Sequence, residues 1–345
     1  MNKSFNFRLL LLPFSWIYGG IVSLRNFFYD LGVLSSYAIP KKSICVGNLS
    51  TGGTGKTPHV DLITSYLIDH QKETSILSRG YGRSTFGLLE VKESSTASEV
   101  GDEPLFYKTK YGNKINVVVA EKRKLGVDYI LDKYQKNEII VLDDAFQHRA
   151  VKAGFNILIT DYSYLFSDDY MLPAGNLREW TYGKKRANAI IVSKSPSEIS
   201  ENEMLIVKTK LKFNPEAIFF SYIEYGELKP FSKDVDFKIE NILLITGIGN
   251  PSPLFKELDS RYHVELLRFK DHHIFTTKNI AEIHEKFDTF ANGNKIIVTT
   301  EKDFMRLKNF IETNSASYPW FYQPINTVIK QQHKFNLCLN EYLKI

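Results

Sequence analysis

Eight residues between an apolar run and a helical pattern are of the types that bind a phosphate group. They read Ser50-Thr51-Gly52-Gly53-Thr54-Gly55-Lys56-Thr57, and the run before them ends at Gly47. Glycines let a backbone wrap an anion and point N–H groups at it, and the positive end of the following helix and the charge of Lys56 add to this attraction. Thr57 stands where such loops supply a hydroxyl to Mg²⁺. The segment therefore predicts binding of a nucleoside triphosphate.

A second acidic element follows the apolar run Ile139–Leu142. Asp143 and Asp144 come directly after it, and Gln147 lies three residues further on. An acidic strand end beside a phosphate loop holds the metal directly or through water. Either aspartate alone could instead cap the next turn, and the sequence does not say which of them contacts the metal.

Two further loops carry charged residues among glycines. The first reads Ser-Arg-Gly-Tyr-Gly-Arg, and its Arg79 and Arg83 suit a loop that grips an anionic substrate, although a solvated loop is the alternative. The second reads Glu-Val-Gly-Asp-Glu-Pro around Asp102, and taken alone it resembles an ordinary acidic surface turn.

The adjacent pair His272 and His273 follows Lys270 and Asp271. Paired histidines are frequent metal ligands, but no cysteine cluster and no His-Glu-x-x-His spacing accompanies them. We therefore expect them to act in proton transfer, with an exposed surface pair as the alternative.

The elements that must position these residues show a regular alternation. Short β-branched runs recur between helical or polar stretches, at 44–47, 75–78, 116–120, 139–142, 156–160, 189–192, 218–222, 242–246 and 295–299. Helical spacing of apolar residues occupies 59–70 and 121–136. The pattern predicts an α/β fold, with a phosphate-loop-type parallel sheet and a second, smaller α/β domain. The polar stretch 224–240 is the candidate junction between the two domains. We therefore expect a membrane-associated N-terminal helix at 1–35, a kinase-type phosphate-loop domain at 36–225 and a second α/β domain at 226–345.

Composition narrows the class of partner only slightly. A formal charge of +5 over 345 residues is a mild bias towards anions, and no basic helix or aromatic-interleaved stripe indicates nucleic acid. Cys45 and Cys338 are far apart and suit a reducing compartment rather than a disulfide or zinc framework.

The N-terminal 35 residues are more apolar than the rest. An uncharged run, Leu9 to Leu24, lies between Arg8 and Arg25, and its 16 residues fall short of the roughly 20 that span a bilayer as a helix. The segment lacks a clear small-residue cleavage site, which argues against a signal peptide. A helix lying on a membrane surface fits best, and a helix packed on its own domain is the alternative.

The motifs together resemble those of one enzyme family. In chain order they are S-x-G-G-x-G-K-T, S-R-G-Y-G-R, V-G-D-E-P, L-D-D-A-F-Q-H-R, L-P-A-G-N-L-R-E, D-H-H and T-T-E-K-D. Each is modest alone, but seven in this order resemble tetraacyldisaccharide 4′-kinase, the lipid A kinase, from the apolar N-terminus to about Leu307. The resemblance implies ATP and Mg²⁺ as cofactors and an acylated glucosamine disaccharide 1-phosphate as the substrate phosphorylated at its 4′-hydroxyl. It also implies an enzyme at the cytoplasmic face of the bacterial inner membrane, bound there peripherally or by shallow insertion of its N-terminal helix. No obligate protein partner is expected.

The same resemblance assigns roles to individual residues. Lys56 matches the lysine that binds the β- and γ-phosphates, and Asp102 matches the family's catalytic aspartate, paired with His272. Whether His272 or His273 faces Asp102 stays open. The residues implied around the substrate are Arg79, Arg83, Gln147, Arg178 and Glu179. The turn Gly247–Pro251 resembles the family's segment near the nucleotide base, which implies closure of two domains over ATP.

A membrane-associated switch ATPase is the rival interpretation, since such proteins also use a G-G-x-G-K-T loop. They carry a lysine immediately before the glycine pair, and here that position is Thr51. Ser50 likewise replaces the first glycine of the general motif. These two departures favour the kinase.

Overall fold

The structure, a computed structural model, describes residues 7–231, 235–271, 273–314 and 318–345. Within these ranges the strands are β1 (Tyr37–Ala38), β2 (Lys42–Asn48), β3 (Thr74–Ser78), β4 (Leu89–Glu90), β5 (Ile115–Val119), β6 (Ile139–Asp143), β7 (Val151–Lys152), β8 (Phe155–Asp161), β9 (Ala189–Ser193), β10 (Ile218–Tyr225), β11 (Lys229–Pro230), β12 (Asn241–Thr246), β13 (His263–Arg268), β14 (Lys295–Thr300), β15 (Trp320–Gln323) and β16 (Ile325–Ile329). The helices are α1 (Leu12–Asp30), α2 (Lys56–Asp69), α3 (Ala97–Val100), α4 (Asp102–Tyr111), α5 (Arg123–Lys133), α6 (Glu201–Leu211), α7 (Ser252–Asp259), α8 (Thr277–Thr289), α9 (Glu301–Asn314) and α10 (Gln332–Leu343).

The larger sheet, which defines the first domain, has nine strands in the order β16-β10-β9-β8-β2-β6-β3-β5-β4. Its pairs from β10 to β5 are parallel, and the edge strands β16 and β4 are antiparallel to their neighbours. Parallel strands are covered by helices on both faces, which explains why the predicted runs are mostly apolar. Two clusters of buried side chains, one on each face, form its core. The predicted parallel sheet is confirmed.

The second domain is a five-stranded sheet in the order β11-β15-β14-β12-β13, with parallel pairing except at β11. Helices α7, α8 and α9 belong to this domain, and two further apolar clusters lie within it. The expected smaller α/β domain is therefore present, and its first strand, β11, lies within the polar stretch 224–240.

The end of the chain departs from the expected division at 226–345. Strand β16 pairs antiparallel with β10, and Phe335 of α10 packs against Phe219 with ring centroids 5.1 Å apart. Leu339 and Leu343 are buried in the same first-domain cluster. The chain thus returns from the second domain to complete the first, so the two domains are joined by two crossings.

The N-terminal helix is both docked and exposed. A 3-10 turn at Phe7–Leu11 leads into α1, whose buried residues are Ser15 and Gly19. Polar bonds fix this face: Ser15 Oγ donates to Met171 O over 2.9 Å, and Tyr18 OH donates to Arg178 O over 3.1 Å. The opposite face leaves large apolar side chains in solvent, namely Phe14, Trp16, Ile17, Ile21, Leu24 and Phe27.

The helical segment is longer than the uncharged run suggested. By length and composition Phe7–Asp30 could cross a membrane, and only a small part of it is buried against the protein. It includes Arg8 and Arg25, which lie outside the 16-residue run. Its docked face agrees with a helix packed on its own domain, and its exposed apolar face is the feature that a membrane-surface helix requires.

Candidate active site

The predicted phosphate loop connects β2 to α2. Gly55 caps α2 with φ of +87°, and Gly52 has φ of +101°, conformations that residues with a side chain rarely adopt. Space is open around Gly52 and Gly53, so the backbone there can approach a ligand. Gly47 is needed for a different reason, because an added Cβ would lie 2.6 Å from Phe146 Cβ. This close approach brings the turn after β6 against the end of β2.

The loop is held by its neighbours on both sides. Thr51 N donates to Asn176 O over 2.7 Å, which ties it to the L-P-A-G-N segment. Asn48 Nδ2 donates to Thr54 Oγ1 over 2.7 Å, and Ser193 Oγ donates to Thr54 O over 2.7 Å. The loop is therefore fixed by strand ends β2 and β9 as well as by its own turns.

Lys56, Asp144 and Arg178 meet at the centre of the site. Lys56 Nζ lies 3.7 Å from Asp144 Oδ2. The guanidinium of Arg178 binds Asp144 through both carboxylate oxygens, at 2.9 and 3.2 Å, and also donates to Asn48 Oδ1. Burial opposes ionisation of Asp144, but the positive charges of Lys56 and Arg178 outweigh it and lower the pKa of this carboxyl. Asp144 is therefore charged at neutral pH.

Asp143 lies in a different environment. It is buried, and its Oδ2 accepts long hydrogen bonds from Ser78 Oγ at 3.3 Å and Tyr107 OH at 3.4 Å. Its Oδ1 is buried and has no hydrogen-bond partner among the described residues. Burial, followed by the negative charges of Glu103 and Asp144, raises the pKa of Asp143. A carboxylate of this kind suits a bound cation, which would supply the missing partner and offset the charge.

The acidic turn before α4 lies at the loop rather than on a remote surface. Thr57 Oγ1 donates to Glu103 Oε1 over 2.9 Å, so the hydroxyl predicted to bind Mg²⁺ contacts the first turn of α4. Asp102 is the first residue of α4 and is buried, and its Oδ1 accepts from Glu103 N over 3.1 Å. The structure thus brings Asp102 to the same edge of the sheet as Lys56.

Positive charges collect beside the two aspartates. Arg123 is buried, and burial lowers its pKa to about 10. Its Nε and Nη2 have no hydrogen-bond partner among the described residues. Burial and the charges of Arg123 and Arg79 lower the pKa of His148 to about 4, so this histidine is neutral near pH 7. Arg79 itself is exposed and can reach a ligand in solvent.

The other predicted substrate residues lie in internal networks. The Arg83 side chain is buried in an ion pair with Glu121. Glu179 is also buried, and Arg186 Nη2 binds both of its oxygens at 2.8 and 2.9 Å. Gln147 Nε2 donates to Asn48 O over 2.7 Å and to Glu179 Oε1 over 3.0 Å. These side chains fix the turns around the site.

The histidine predictions concern a turn at the edge of the second domain. His272 lies outside the described residues. His273 is half-buried beside Phe269 and Phe275, and its Nε2 lies 3.1 Å from Asn279 Oδ1. Its Cβ lies 3.4 Å from the place that a Cβ of Gly247 would occupy, so this turn packs on the glycine turn after β12.

The sequence did not single out Glu103, Arg123 and Asn48 as site residues. Glu103 stands within the recognised V-G-D-E-P motif, so its position next to Asp102 was the available signal. Arg123 stands in a Glu-Lys-Arg-Lys run, which is typical of a solvated helix start. Only the fold shows that this one arginine is buried.

Comparison with known proteins gives a consistent result over nearly the whole chain. A family model described as tetraacyldisaccharide-1-P 4′-kinase matches residues 7–344. A tetraacyldisaccharide 4′-kinase of Flavobacterium psychrophilum is 42% identical over 98% of this chain and 97% of the relative. One of Bacteroides fragilis is 41% identical over 97% of this chain and 93% of the relative.

A solved structure is similar in both sequence and fold. LpxK from Aquifex aeolicus, crystallised in complex with ATP, is 30% identical to this chain with a TM-score of 0.76. The similarity covers 97% of this chain and 99% of that one, so it includes both domains and the N-terminal segment.

Proposed function

The chain belongs to the tetraacyldisaccharide-1-P 4′-kinase family, and we propose that it phosphorylates the 4′-hydroxyl of a tetraacylated glucosamine disaccharide 1-phosphate. ATP is the phosphate donor and Mg²⁺ is the metal cofactor. The reaction is a step of lipid A biosynthesis. One observation carries the proposal: the phosphate loop, the Asp143–Asp144 pair and the acidic start of α4 converge at one edge of the sheet. A phosphoryl transfer site needs these parts together.

The phosphate loop binds the nucleotide. Its N–H groups and the N-terminal end of α2 hold the phosphates, and Lys56 attracts the β- and γ-phosphate oxygens. Lys56 and Arg178 both pair with Asp144 in the structure, so the Lys56 side chain extends from the start of α2 towards Asp144 at the end of β6. Thr57 with Asp143 or Asp144 would hold the metal, which when bound offsets negative charge on the phosphates.

The acceptor hydroxyl must lose a proton as its oxygen attacks the γ-phosphorus. The new bond joins the 4′-oxygen to phosphorus, the bond from phosphorus to the β,γ-bridging oxygen breaks, and ADP leaves with that oxygen. A sugar hydroxyl is a weak acid, so a positioned base is needed. We assign this role to the Asp102 carboxylate, with His272 as its expected partner.

The acceptor itself is anionic, and the positive charges of Arg79 and Arg123 beside the aspartates suit it. Arg79 is the exposed member and is proposed to contact the substrate directly. Arg83, Gln147, Arg178 and Glu179 are proposed to act by fixing the turns around the sugar, since each is bonded within the protein.

The exposed face of α1 supports a position at the membrane surface, on the cytoplasmic side of the bacterial inner membrane where ATP is available. The acyl chains of the substrate remain in lipid, and an apolar helix face flanked by Arg8 and Arg25 brings the site to the sugar. The other face of α1 bonds to Arg178, so the helix proposed to meet the membrane is joined directly to a residue that binds Asp144.

Labelled ATP and a monophosphorylated tetraacyldisaccharide in detergent micelles provide the decisive assay. The wild-type protein should transfer the label to the lipid, Lys56→Ala should abolish transfer, and Asp102→Ala should reduce it strongly. Lys124→Ala, which removes an exposed lysine paired with Asp128, is the matched control and should be fully active. ATP hydrolysis without a labelled lipid would instead support a switch ATPase. Full activity in both site variants would refute the residue assignments.

A further inference from the structure

A buried ion pair crosses from the second domain to Asp102. Arg306 lies on α9, and its Nη2 donates a hydrogen bond to Asp102 Oδ2 at the start of α4. The two side chains are only 8% and 7% exposed, respectively. Both charged groups are shielded from water, so moving them apart would remove charge compensation that their burial requires. The pair therefore resists separation.

Arg306 is itself fixed on the second domain. Its Nη1 donates to Asp303 Oδ1 over 3.0 Å, within the same helix. Asp303 is fully buried, and its Oδ2 accepts from Gly247 N over 2.8 Å and from Thr300 Oγ1 over 2.9 Å. The guanidinium therefore spans two carboxylates, one in each domain, and the Asp303 end is anchored to the glycine turn after β12.

A parallel contact runs beside this pair to the phosphate loop. Lys302 Nζ lies 3.7 Å from Asp102 Oδ2 and 3.4 Å from Glu103 Oε1. Glu103 Oε1 also accepts from Thr57 Oγ1. A continuous polar path thus leads from Gly247 through Asp303 and Arg306 to Asp102, and from there along the first turn of α4 to the loop.

We propose that Arg306 is a positioning residue for phosphate transfer, which orients the Asp102 carboxylate and makes its orientation depend on the placement of the second domain. The inference rests on the proposed function, because it takes Asp102 as the base. A carboxylate at a helix start has several rotamers, and a planar guanidinium held by Asp303 selects one of them. Domain closure over a nucleotide then acts on the base through this arginine.

The alternative role for Arg306 is support of the domain interface without any link to the base. A double-substitution cycle separates the two roles, since a residue that acts only through Asp102 loses its effect when Asp102 no longer functions. The variants are Arg306→Met, Asp102→Asn and the two combined, and Arg306→Lys tests whether a single donor group suffices. Arg261→Met removes an exposed second-domain arginine paired with Glu257 on α7, which makes it the control.

We expect Arg306→Met to lower kcat for lipid phosphorylation by roughly tenfold to a hundredfold, as loss of a charged hydrogen bond implies. The dissociation constant of ATP should change little, and Arg306→Lys should recover only part of kcat. The Tm should fall, because Asp102 and Asp303 both lose a positively charged partner in a buried position. In the Asp102→Asn background the added Arg306→Met should change the residual kcat by less than about twofold. Arg261→Met should match the wild type.

An unchanged kcat in Arg306→Met would overturn the inference, and so would equal losses in the Asp102 and Asp102→Asn backgrounds. Should Arg306→Met fail to fold, Arg306→Lys, alone and with Asp102→Asn, decides by the same criterion. Full activity of Asp102→Asn has a different meaning: it would refute Asp102 as the base, and thus the proposed site, whatever Arg306 does.

Discussion

Thr57 Oγ1 donates a hydrogen bond to Glu103 Oε1 over 2.9 Å, which joins the phosphate loop to the first turn of α4. After burial, the negative charge of Glu103 is the largest cause of the raised pKa of Asp143. One side chain therefore touches the hydroxyl predicted to bind the metal and acts electrostatically on a carboxylate predicted to do the same.

Replacing Glu103 by Gln should weaken Mg²⁺ binding. The lost attraction acts on a doubly charged ion, whereas the repulsion relieved at Asp143 acts on a single charge, so the loss is larger than the gain. We expect the Mg²⁺ concentration for half-maximal activity to rise by roughly threefold to tenfold. Titrating Mg²⁺ in the lipid phosphorylation assay at fixed ATP measures it.

The matched control for this titration is Glu93→Gln, which removes an exposed carboxylate upstream of α3. It should leave the Mg²⁺ requirement unchanged. A lower requirement in Glu103→Gln would contradict the prediction and would indicate that Glu103 competes with the metal for Thr57.

The exposed face of α1 leads to a prediction about membranes. Ile17 and Ile21 are 63% and 64% exposed, and burying such side chains in lipid is favourable. The double variant Ile17→Ser, Ile21→Ser should bind anionic phospholipid vesicles roughly tenfold more weakly or worse, as judged by co-sedimentation. Ile206→Ser removes an apolar side chain of similar exposure on α6 and should bind like the wild type. Equal binding of all three proteins would exclude this face of α1 as the membrane contact.

The docked face of α1 can be tested with two adjacent glycines. A Cβ at Gly19 would lie 2.6 Å from Trp180 Cζ2, whereas one at Gly20 meets nothing within 4 Å. Gly20→Ala should therefore stabilise the protein by about 0.5–1 kcal/mol through helix propensity. Gly19→Ala should forfeit this gain and displace the Trp180 ring.

Thermal unfolding and tryptophan fluorescence report on the two glycine variants. We expect a higher Tm with unchanged emission for Gly20→Ala, and a lower Tm with a shifted emission for Gly19→Ala. Since Trp180 follows Glu179 directly in the chain, lipid phosphorylation should also fall in Gly19→Ala alone. Identical behaviour of the two variants would mean that α1 does not dock through Gly19.

Much of the fold followed from local pattern, and the exceptions have physical reasons. The runs that predicted β2, β6 and β8 are mostly apolar because both faces of a parallel sheet are covered. The antiparallel edge strand β16 is mostly half-buried and gave no such run. Its pairing with β10 joins residues about a hundred positions apart, which local periodicity does not encode.

The candidate site shows the same division. Glycine spacing and a strand-loop-helix context predicted the phosphate loop, because that function resides in consecutive residues. The pair of Arg306 with Asp102 joins two domains, and Arg306 belongs to a helix whose sequence reads as amphipathic and partly charged. Distant pairs of this kind become visible only when the fold brings the helices together.

The stability of the protein should depend on pH through His59, which packs against the phosphate loop. The imidazole is buried, with Nδ1 2.6 Å from Gly55 O and Nε2 2.8 Å from Ser221 Oγ. Burial lowers the pKa of His59 from 6.5 to about 4. The folded protein therefore binds this proton less readily than the unfolded chain does, so the free energy of unfolding falls as the pH drops from about 6.5 to about 4.

The full difference for His59 amounts to about 3 kcal/mol below pH 4. Urea unfolding at several pH values should show this loss in the wild type, and His59→Gln should show a smaller slope over the same window. His70→Gln removes an exposed histidine at the end of the same helix and should keep the wild-type slope. If His59→Gln kept that slope as well, the acid sensitivity would have to come from another buried group, and His148, whose pKa is also lowered to about 4, would be the next histidine to replace.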